Sequence, residues 1–333
     1  MSFLKISSSP HVRHEDSTRS IMLDVIIALC PALIWGAYIF GLRALTVTAV
    51  SVAFAVISEY LYRRLAGKNN TTGDLSAVVT GIILALSLPV TVPLWIPAIG
   101  SIFAIVIVKQ LYGGIGKNVV NPALAARVFL FLAFPSQMAT YTAPFVKFPA
   151  FRIGCEVPDV LATATPLASL KAQSLADGAF PEASIKDAFF GNLPGCIGEV
   201  SVLLLVAGAL YLFVRKVITW HIPFTYIATV AVLCYLLPPA NIDAVRYTLY
   251  ELCSGGIIFA AFFMATDYTT SPVTSKGRII YGIGCGAITV FIRACGAYPE
   301  GASFAVLVMN CLAWYIDKFT RPVIFGGARH GKK

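Results

Sequence analysis

The sequence predicts an all-α integral membrane protein with ten transmembrane helices, arranged as two inverted five-helix repeats with interrupted third and eighth helices. Of the 333 residues, 58% are hydrophobic and 12% are charged, whereas soluble domains have about 45–50% and about 25%. The apolar runs are long and continuous, which favours helices over the alternating strands of a barrel. This composition excludes a cytosolic globular enzyme, a disordered protein and a nucleic-acid-binding protein, despite the net charge of +9.

The transmembrane helices follow from the apolar runs, because a helix needs about twenty apolar residues to cross about 30 Å of hydrocarbon. Pro89, Pro93 and Pro97 interrupt the third run and its neighbour, and the eighth run stops at Asp267, shortly before Pro272. The runs predict spans at residues 20–42, 44–62, 75–92, 93–112, 119–137, 192–214, 218–237, 247–266, 278–297 and 302–319.

The distribution of basic residues predicts the orientation. Seventeen of the 25 Lys and Arg residues fall in segments on the side of the N-terminus, six fall on the other side and two lie within spans. Basic residues accumulate in cytoplasmic segments, so we expect both termini in the cytoplasm. The predicted organisation is a cytoplasmic N-terminal segment (1–19), the first repeat (20–137), an extracytoplasmic loop (138–190), the second repeat (191–319) and a cytoplasmic tail (320–333). No signal-peptide pattern follows the polar start, so the first span is expected to remain as an anchor.

Two similar halves of five spans each must be inverted relative to one another. The letters GII occur at 81–83, before the first interruption, and again at 256–258 in the second half. Inverted repeats with broken helices are typical of transporters, in which the breaks expose backbone groups to a site at the midplane. The alternative is a chance similarity between glycine-rich apolar segments.

Charged residues within the spans are candidates for function, because each costs about 2.5–3.5 kcal/mol at a helix centre on insertion scales. They either pair and lock helices together or take part in cofactor or ion handling. Asp24, Glu199 and Arg293 are predicted to lie deepest. The full set is Asp24, Glu59, Arg127, Glu199, Glu251, Asp267, Arg293 and Asp317.

The eight cysteines include no C-x-x-C pair, so no metal or iron–sulfur site is predicted. Most are expected to be small packing residues, with Cys155 and Cys196 as the one plausible pair near the loop. No Ser-His-Asp arrangement, H-E-x-x-H or phosphate-binding loop is present. Hydrolytic chemistry therefore has no support.

The stretch GGIGKNVVNPALAARVFLFLAFP (113–135) combines glycines, two asparagines and an arginine that falls within a predicted span. Glycine permits close backbone approach, and Pro122 suits the first turn of a helix. Asn118 and Asn121 add polar groups where that helix begins. Arg127 is expected about a turn and a half inside, where it can meet an anionic group.

The stretch DVLATATPL (159–167) lies in the predicted outer loop. Small neighbours leave the hydroxyls of Thr163 and Thr165 accessible, and Asp159 can bind a metal or orient a donor. By composition alone this is a loop rich in threonine and alanine, and modification of a threonine is one interpretation of it.

The first stretch resembles the G-x-GKN-x-x-NPA segment of the membrane flavoprotein subunits of the Rnf and Na⁺-translocating NADH:quinone oxidoreductase (Nqr) complexes. The second resembles the flavinylation motif of those subunits, in which the last threonine carries FMN through a phosphoester bond. The match places the acidic residue at Asp159, the small pair at Thr163 and Ala164, and the acceptor at Thr165. Ala162 stands where the family usually has Ser or Thr, which weakens the match to the part that a flavin transferase recognises.

The segments at 195–223 and 293–310 are similar to those of RnfD, the membrane flavoprotein subunit of the Rnf complex. The Rnf branch fits better than NqrB, its counterpart in the Nqr complex. The resemblance implies a bacterial inner-membrane station in an electron chain between ferredoxin and NAD⁺, coupled to Na⁺ or H⁺ movement. It also implies covalent FMN on Thr165 and a non-covalent riboflavin, for which Asn118, Asn121 and Arg127 are reasonable neighbours.

The partners that the resemblance implies are a flavin transferase and the other membrane and peripheral subunits, including iron–sulfur and second flavoprotein subunits. Two other classes remain open at this stage. One is a solute transporter of the urea-channel type, and the other is a structural scaffold. Both predict an unmodified Thr165.

Overall fold

The structure is a computed structural model that describes residues 17–146, 150, 162–163, 165–175, 185–199, 201–239, 243–296, 298 and 300–322. These residues form fourteen helices, a short 3₁₀ turn (Thr72–Asp74) and a two-stranded antiparallel sheet of β1 (Tyr141–Thr142) and β2 (Ala162–Thr163). The helices are α1 (Thr18–Phe40), α2 (Leu42–Leu65), α3 (Ser76–Leu86), α4 (Trp95–Gln110), α5 (Pro122–Ala133), α6 (Pro135–Met138), α7 (Pro166–Leu175), α8 (Ile185–Phe190), α9 (Val202–Val214), α10 (His221–Leu236), α11 (Ala244–Cys253), α12 (Ile257–Met264), α13 (Ser275–Cys295) and α14 (Ala302–Thr320).

The apolar helices fall where the sequence predicts spans. Four helices, α1, α2, α13 and α14, are each long and apolar enough to cross a membrane. The α11–α12 pair passes the same test as one bent unit, and α3, α4, α5, α9 and α10 are shorter apolar helices. The helical multi-pass class is therefore confirmed. The count of ten complete crossings stays a prediction, because half of these apolar units are shorter than a full span.

The third helix is interrupted, as its prolines predict. The helix α3 ends at Leu86, and residues 87–94 form turns before α4 begins. Proline has no backbone N–H and clashes with the preceding turn, so it ends a helix. The carbonyls of Leu86 and Leu88 accept hydrogen bonds from the backbone of Gly198 (2.8 Å) and Ile197 (3.0 Å). The segment before α9 thereby satisfies backbone groups that the broken helix leaves open.

The eighth span breaks earlier than the sequence indicates. Its helix ends before Asp267, as predicted, but a sharper break lies at residues 254–256, where α11 and α12 meet at 61°. Gly255 has φ +72°, a left-handed conformation that glycine adopts without steric cost. The predicted interruption was based on the polar residues before Pro272. The break at residues 254–256 is instead formed by Ser-Gly-Gly, which contains no proline.

Polar caps fix where several helices begin. The side chain of Ser17 accepts from the backbone of Ser20 at the start of α1, and the side chain of Asn121 accepts from Ala123 and Leu124 at the start of α5. Such caps satisfy backbone N–H groups that have no partner within the helix. Pro122 follows Asn121 at the first helical position, as predicted. The start of α5, and with it the position of Arg127, is therefore set locally.

Glycines allow neighbouring helices to pack closely, both between the two halves of the chain and within the second half. A Cβ on Gly208 of α9 would lie 2.2 Å from the carbonyl oxygen of Ala28 in α1. In the same way Gly282 and Gly286 of α13 lie against threonines of α10. Small residues at helix contacts let backbones approach, which is a common means of helix association in membranes.

The predicted outer loop contains ordered elements. Within residues 138–190, β1 and β2 pair with Tyr141 opposite Thr163, and α7 and α8 follow. Leu167 and Leu170 of α7 pack with Tyr250 of α11 in a small apolar cluster. The helix α7 is therefore held against the second half of the protein.

The contact between α1 and α9 gives a test of this packing. Gly208→Ala is expected to lower stability by about 1–3 kcal/mol, the usual cost of overpacking, because the backbone of α1 must move. Gly73→Ala is the matched control, since a Cβ there meets nothing within 4 Å. The measurement is the thermal unfolding midpoint of each variant in detergent. Equal midpoints for the two variants would contradict the packing described.

Candidate functional site

The predicted site residues divide between two cavities. A large cavity of about 360 Å³ is lined by Asn118 and Asn121 together with residues of α1, α3, α9 and α12. A small cavity of about 40 Å³ is lined by Thr165, Glu199 and Glu300. The structure therefore does not gather the predicted residues around one point.

Some of the predicted residues lie outside the described part of the chain. These are Asp159 and Ala164, and also Cys155, the predicted partner of Cys196. Thr163 is described through its backbone, which pairs with Tyr141 in the sheet. Cys196 is buried beside the small cavity.

Thr165 lies at the start of α7, where its side chain acts as a cap. Its hydroxyl oxygen accepts a hydrogen bond from the backbone of Ala168 (3.2 Å). The threonine is half-buried. Lys171, farther along α7, donates to the carbonyl oxygens of Gly296 and Tyr298 and fixes the helix against the turn before α14. A phosphoester on Thr165 would stand at a helix N-terminus, where backbone N–H groups favour anions.

Arg127 binds two carboxylates. Its Nη1 donates to Oε1 of Glu199 (2.6 Å), and its Nη2 donates to Oε2 of Glu300 (2.5 Å). The Nη2 atom also lies 3.7 Å from Sγ of Cys196. The anionic group expected near Arg127 is thus supplied by the protein itself. Both carboxylates line the small cavity with Thr165, so Arg127 belongs to the Thr165 side and not to the large cavity.

A second buried ion pair lies next to the first, at the break between α11 and α12. The Nη1 atom of Arg293, in α13, donates to a carboxylate oxygen of Glu251 and to the backbone carbonyl of Glu251. The Nη2 atom of Arg293 donates to the backbone carbonyl of Ser254. A Cβ on Gly255 would lie 2.9 Å from Nη2 of Arg293. The glycine therefore permits the arginine to satisfy carbonyls at the end of α11, where a broken helix leaves acceptors open.

The large cavity has the character of an organic ligand site. Its walls are mostly apolar and include Phe262 and Phe263, with a few polar groups from Asn118, Asn121 and Asp267. Few polar groups within apolar walls are typical of sites for small molecules and cofactors, as is a volume of about 300–1,000 Å³. Within the described part of the chain, the buried Oδ1 atom of Asn118 has no hydrogen-bond partner, so it is available to a ligand.

Lys109 also borders the large cavity, but its charge is already matched. Its Nζ donates to Glu59 (2.8 Å) and to Ser76 (2.6 Å). Glu59 accepts further bonds from Gln110 and Thr71. Both members of the ion pair are at most 2% exposed. Lys109 and Glu59 are therefore a closed pair that offers no free charge to a ligand.

Asp267 is the carboxylate left on the wall of the large cavity. Its Oδ2 accepts hydrogen bonds from the hydroxyls of Thr269 (3.1 Å) and Thr270 (3.2 Å). Burial raises the pKa of Asp267, although those hydrogen bonds offset part of the shift. The predicted charge at the end of the eighth span is therefore present at the cavity, and its partners are neutral hydroxyls.

The helix α5 connects the two sites. Asn121 caps its first turn beside the large cavity, and Arg127 stands six residues later beside the carboxylates of the small cavity. At about 1.5 Å per residue the two positions are about 9 Å apart along the axis. The two cavities are therefore near neighbours joined by one rigid element.

The charged residues predicted within the spans include most of the charged residues in these ion pairs, but the prediction missed some of their partners. Asp24 pairs with Arg215 at 3.2 Å, and Asp317 accepts hydrogen bonds from the backbone of Val273 and Thr274. Glu300 and Lys109 were not predicted as buried charges, because both stand beside turns or span ends. The sequence Pro-Glu-Gly at 299–301 places an acidic residue within a pattern typical of turns. This pattern could have identified Glu300 as a candidate.

Comparison with known proteins gives one family for nearly the whole chain. Residues 5–326 match the NQR2, RnfD, RnfE family. The RnfD-type subunit of the Na⁺-translocating ferredoxin:NAD⁺ oxidoreductase complex of Acetobacterium woodii is 47% identical over 325 residues, covering 97% of this chain and 95% of the relative.

Two further relatives are similar over nearly their full length. The corresponding subunit of the proton-translocating ferredoxin:NAD⁺ oxidoreductase complex of Clostridium ljungdahlii is 40% identical, with 97% of this chain and 96% of the relative covered. The corresponding subunit of the ion-translocating oxidoreductase complex of Stutzerimonas stutzeri is also 40% identical, with 95% and 94% covered.

The arrangement around Arg127 predicts a large loss of stability when the cation is removed. Arg127→Met leaves buried carboxylates without their partner, and breaking such a pair costs about 3–5 kcal/mol. Removing the carboxylates as well, in Arg127→Met with Glu199→Gln and Glu300→Gln, is expected to restore most of the loss. Thermal unfolding midpoints in detergent measure both effects. An Arg127→Met midpoint equal to that of the unmodified chain would refute the ion-pair network.

Proposed function

The chain belongs to the NQR2, RnfD, RnfE family, and from this membership we propose that it is the membrane flavoprotein subunit of an ion-translocating ferredoxin:NAD⁺ oxidoreductase. The observation that carries the proposal is the similarity, over almost the full length of the chain, to relatives with that activity in their names. The chain does not perform the reaction alone. It passes electrons within a complex whose other subunits meet ferredoxin and NAD⁺.

The energy of electron transfer suffices for ion movement. For two electrons, a drop of about 100 mV releases about 4.6 kcal/mol. Moving one charge against about 100 mV costs about 2.3 kcal/mol. The names of the relatives give Na⁺ for one protein and protons for another, and we propose either Na⁺ or H⁺ as the coupling ion here.

Covalent FMN on Thr165 is the first cofactor that we propose. The half-buried hydroxyl at the start of α7 suits a phosphoester, because the helix N-terminus stabilises the phosphate charge. The small cavity beside Thr165 has about 40 Å³, enough for a few water molecules and too little for a flavin ring. The ring would therefore have to lie outside this cavity, while the start of α7 would hold the phosphate.

A non-covalent riboflavin in the large cavity is the second cofactor that we propose. The volume, the phenylalanines and the open Oδ1 of Asn118 suit a flat ring with polar edges. Asn118 and Asn121 would hold it, and Arg127 would act only through α5. Flavins supply the electron-transfer chemistry that this station requires.

For the membrane arrangement, we propose ten crossings in two inverted five-helix repeats, in the bacterial inner membrane with both termini cytoplasmic. The ten apolar helical units at the predicted positions support it. In this orientation the large cavity, bordered by the first residue of α1, lies in the cytoplasmic half. Thr165 then lies near the outer side. Electrons that pass between the two sites therefore move only part of the way across the membrane.

The partners in this proposal are the remaining subunits of the complex and a flavin transferase. Iron–sulfur centres are assigned to other subunits, since the sequence has no C-x-x-C pair of the kind that such clusters use. A second flavoprotein subunit would exchange electrons with Thr165-bound FMN. Nothing in the sequence calls for nucleic acid.

Substitution of the acceptor tests the covalent flavin. Thr165→Ala is expected to abolish flavin fluorescence on the chain in a denaturing gel, after expression with a flavin transferase, because no hydroxyl remains to carry the phosphoester. Ser169→Ala, one turn farther along α7, is the control and should keep full fluorescence. Fluorescence that survives in Thr165→Ala would reject the assignment. A chain without covalent flavin in both variants and in the unmodified protein would favour a solute channel.

Substitution in the large cavity tests the second flavin. Asn118→Leu removes a buried acceptor, and the loss of one such bond costs about 1–3 kcal/mol, or roughly 5- to 150-fold in affinity. Flavin released by denaturation of the purified chain should fall accordingly, while covalent flavin is unchanged. The control is Thr165→Ala, which should retain the released flavin. Unchanged release from Asn118→Leu would remove this cavity from the proposal.

A further inference from the structure

Five ionisable side chains form one buried cluster around the break between α11 and α12, and the acids outnumber the bases by one. Arg127 bonds to Glu199 and Glu300, while Arg293 bonds to Glu251. Gly255 and Gly256 of the break touch both sets, because a Cβ on Gly256 would lie 2.5 Å from Oε1 of Glu199. The cluster consists of Arg127, Arg293, Glu199, Glu251 and Glu300.

The carboxyl group in excess of the guanidinium groups belongs to the pair of Glu199 and Glu300. Glu251 has Arg293 to itself, whereas Glu199 and Glu300 share the guanidinium of Arg127. The two carboxyl groups also lie within hydrogen-bond reach of each other. Two carboxylates in contact in a buried site do not both remain ionised, because like charges repel and burial penalises charge. A hydrogen bond between them requires one proton.

A polar group without a partner lies on the same cavity wall. Ser254 is 3% exposed, its Oγ has no hydrogen-bond partner among the described residues, and it lines the small cavity with Glu199, Glu300 and Thr165. A serine hydroxyl both donates and accepts. It is therefore suited to pass a proton between the carboxyl pair and water in the cavity.

We propose that Glu199 and Glu300 bind a single proton between them, in a site that borders Thr165 and exchanges through the hydroxyl of Ser254. This is a proton-binding site additional to the two flavin sites. The other titratable or charged groups that face the pair are Arg127 from α5, Tyr141 from β1, Cys196 from the segment before α9, Glu251 from α11 and Arg293 from α13.

The proton rests mainly on Glu199. The side chain of Glu199 is 3% exposed and that of Glu300 is 24% exposed, so the desolvation penalty on a charge is larger at Glu199. Burial raises the pKa of Glu300, but Arg127, the bond to Glu199 and Arg293 outweigh burial and bring that pKa below its ordinary value. Glu300 is the ionised member of the pair.

The position of the site links it to electron transfer, and this step rests on the proposed function. An electron on FMN at Thr165, supplied in the complex by reduced ferredoxin, would add negative charge beside Glu199 and Glu300 and would raise the affinity of this pair for a second proton. The pair then takes one proton from water, and both carboxyls are neutral. When the electron leaves, the proton returns to water. The proton that the carboxyl pair takes up thereby compensates the negative charge of each electron.

Infrared spectroscopy of the full chain in detergent tests the proton directly. We use a Thr165→Ala background, so that the result does not depend on flavin. At neutral pH the chain should show the C=O stretch of a protonated carboxyl that shifts in D₂O. Both Glu199→Gln and Glu300→Gln should lose it, since either change leaves one carboxylate for one guanidinium. Asp317→Asn is the control and should keep it.

The spectra are compared as parent minus variant, so any contribution from Asp267 cancels. Glutamine matches glutamate in size, and two separate variants guard against the failure of one to fold. A band lost in both variants and kept in the control supports the site. A band that persists in both variants, or that is missing from the parent, overturns it.

The flavin-loaded chain tests the link to electron transfer. The midpoint potential of the Thr165 flavin should fall more steeply with rising pH in the unmodified chain than in Glu300→Gln. The difference in slope should reach up to about 59 mV per tenfold change in proton concentration for one electron. Equal slopes would overturn the link. A chain that carries no flavin would refute the proposed function while leaving the infrared result in force.

Discussion

The pairing of charges in a medium that cannot solvate them is the constraint on which this structure depends. An ion left unpaired between apolar helices costs several kcal/mol, so each buried charge determines which segments must meet. The buried charges pair as follows: Asp24 with the half-exposed Arg215, Glu59 with Lys109, Arg127 with Glu199 and the partly exposed Glu300, and Arg293 with Glu251. Every one of them joins residues at least 42 positions apart. The two arginine groups meet at Gly255 and hold the break between α11 and α12.

The same pairs bear on the two interpretations of charged residues within the spans, namely helix pairing and a role in cofactor or ion handling. Pairing is present for Asp24, Glu59, Arg127, Glu199, Glu251 and Arg293. Pairing does not exclude a role in function, because the Arg127 group borders Thr165 and holds one acid too many. The structural and functional interpretations therefore apply to the same residues. The pair of Glu59 and Lys109, with matched charges, is the purely structural case.

Much of the architecture can be predicted from local sequence patterns. The apolar runs predict the helical class, and the prolines at 89 and 93 predict the break in the third helix. The Asn121-Pro122 start of α5 predicts how far inside the helix Arg127 lies. The break at 254–256 and the role of Glu300 depend on contacts between segments that are distant along the chain. Such contacts leave no periodic signal. The same reason explains why Arg127 was expected beside Asn118, although its side chain points to the other cavity.

The two cavities give the proposed electron path a physical form. One suits a neutral flavin among apolar walls and the other borders a threonine at a helix start, with α5 as the rigid connection. A shared proton next to the second site would compensate charge where an electron arrives.

The mass of the purified chain shows whether Thr165 carries FMN. The chain, isolated from cells that contain its flavin transferase, is measured intact and then as peptides. A phosphoester on Thr165 predicts that the mass of the chain exceeds that of the sequence by one FMN joined with loss of water, and that the increment lies on the peptide containing Thr165. A chain with the mass of the bare sequence, or an increment on a different peptide, would contradict it.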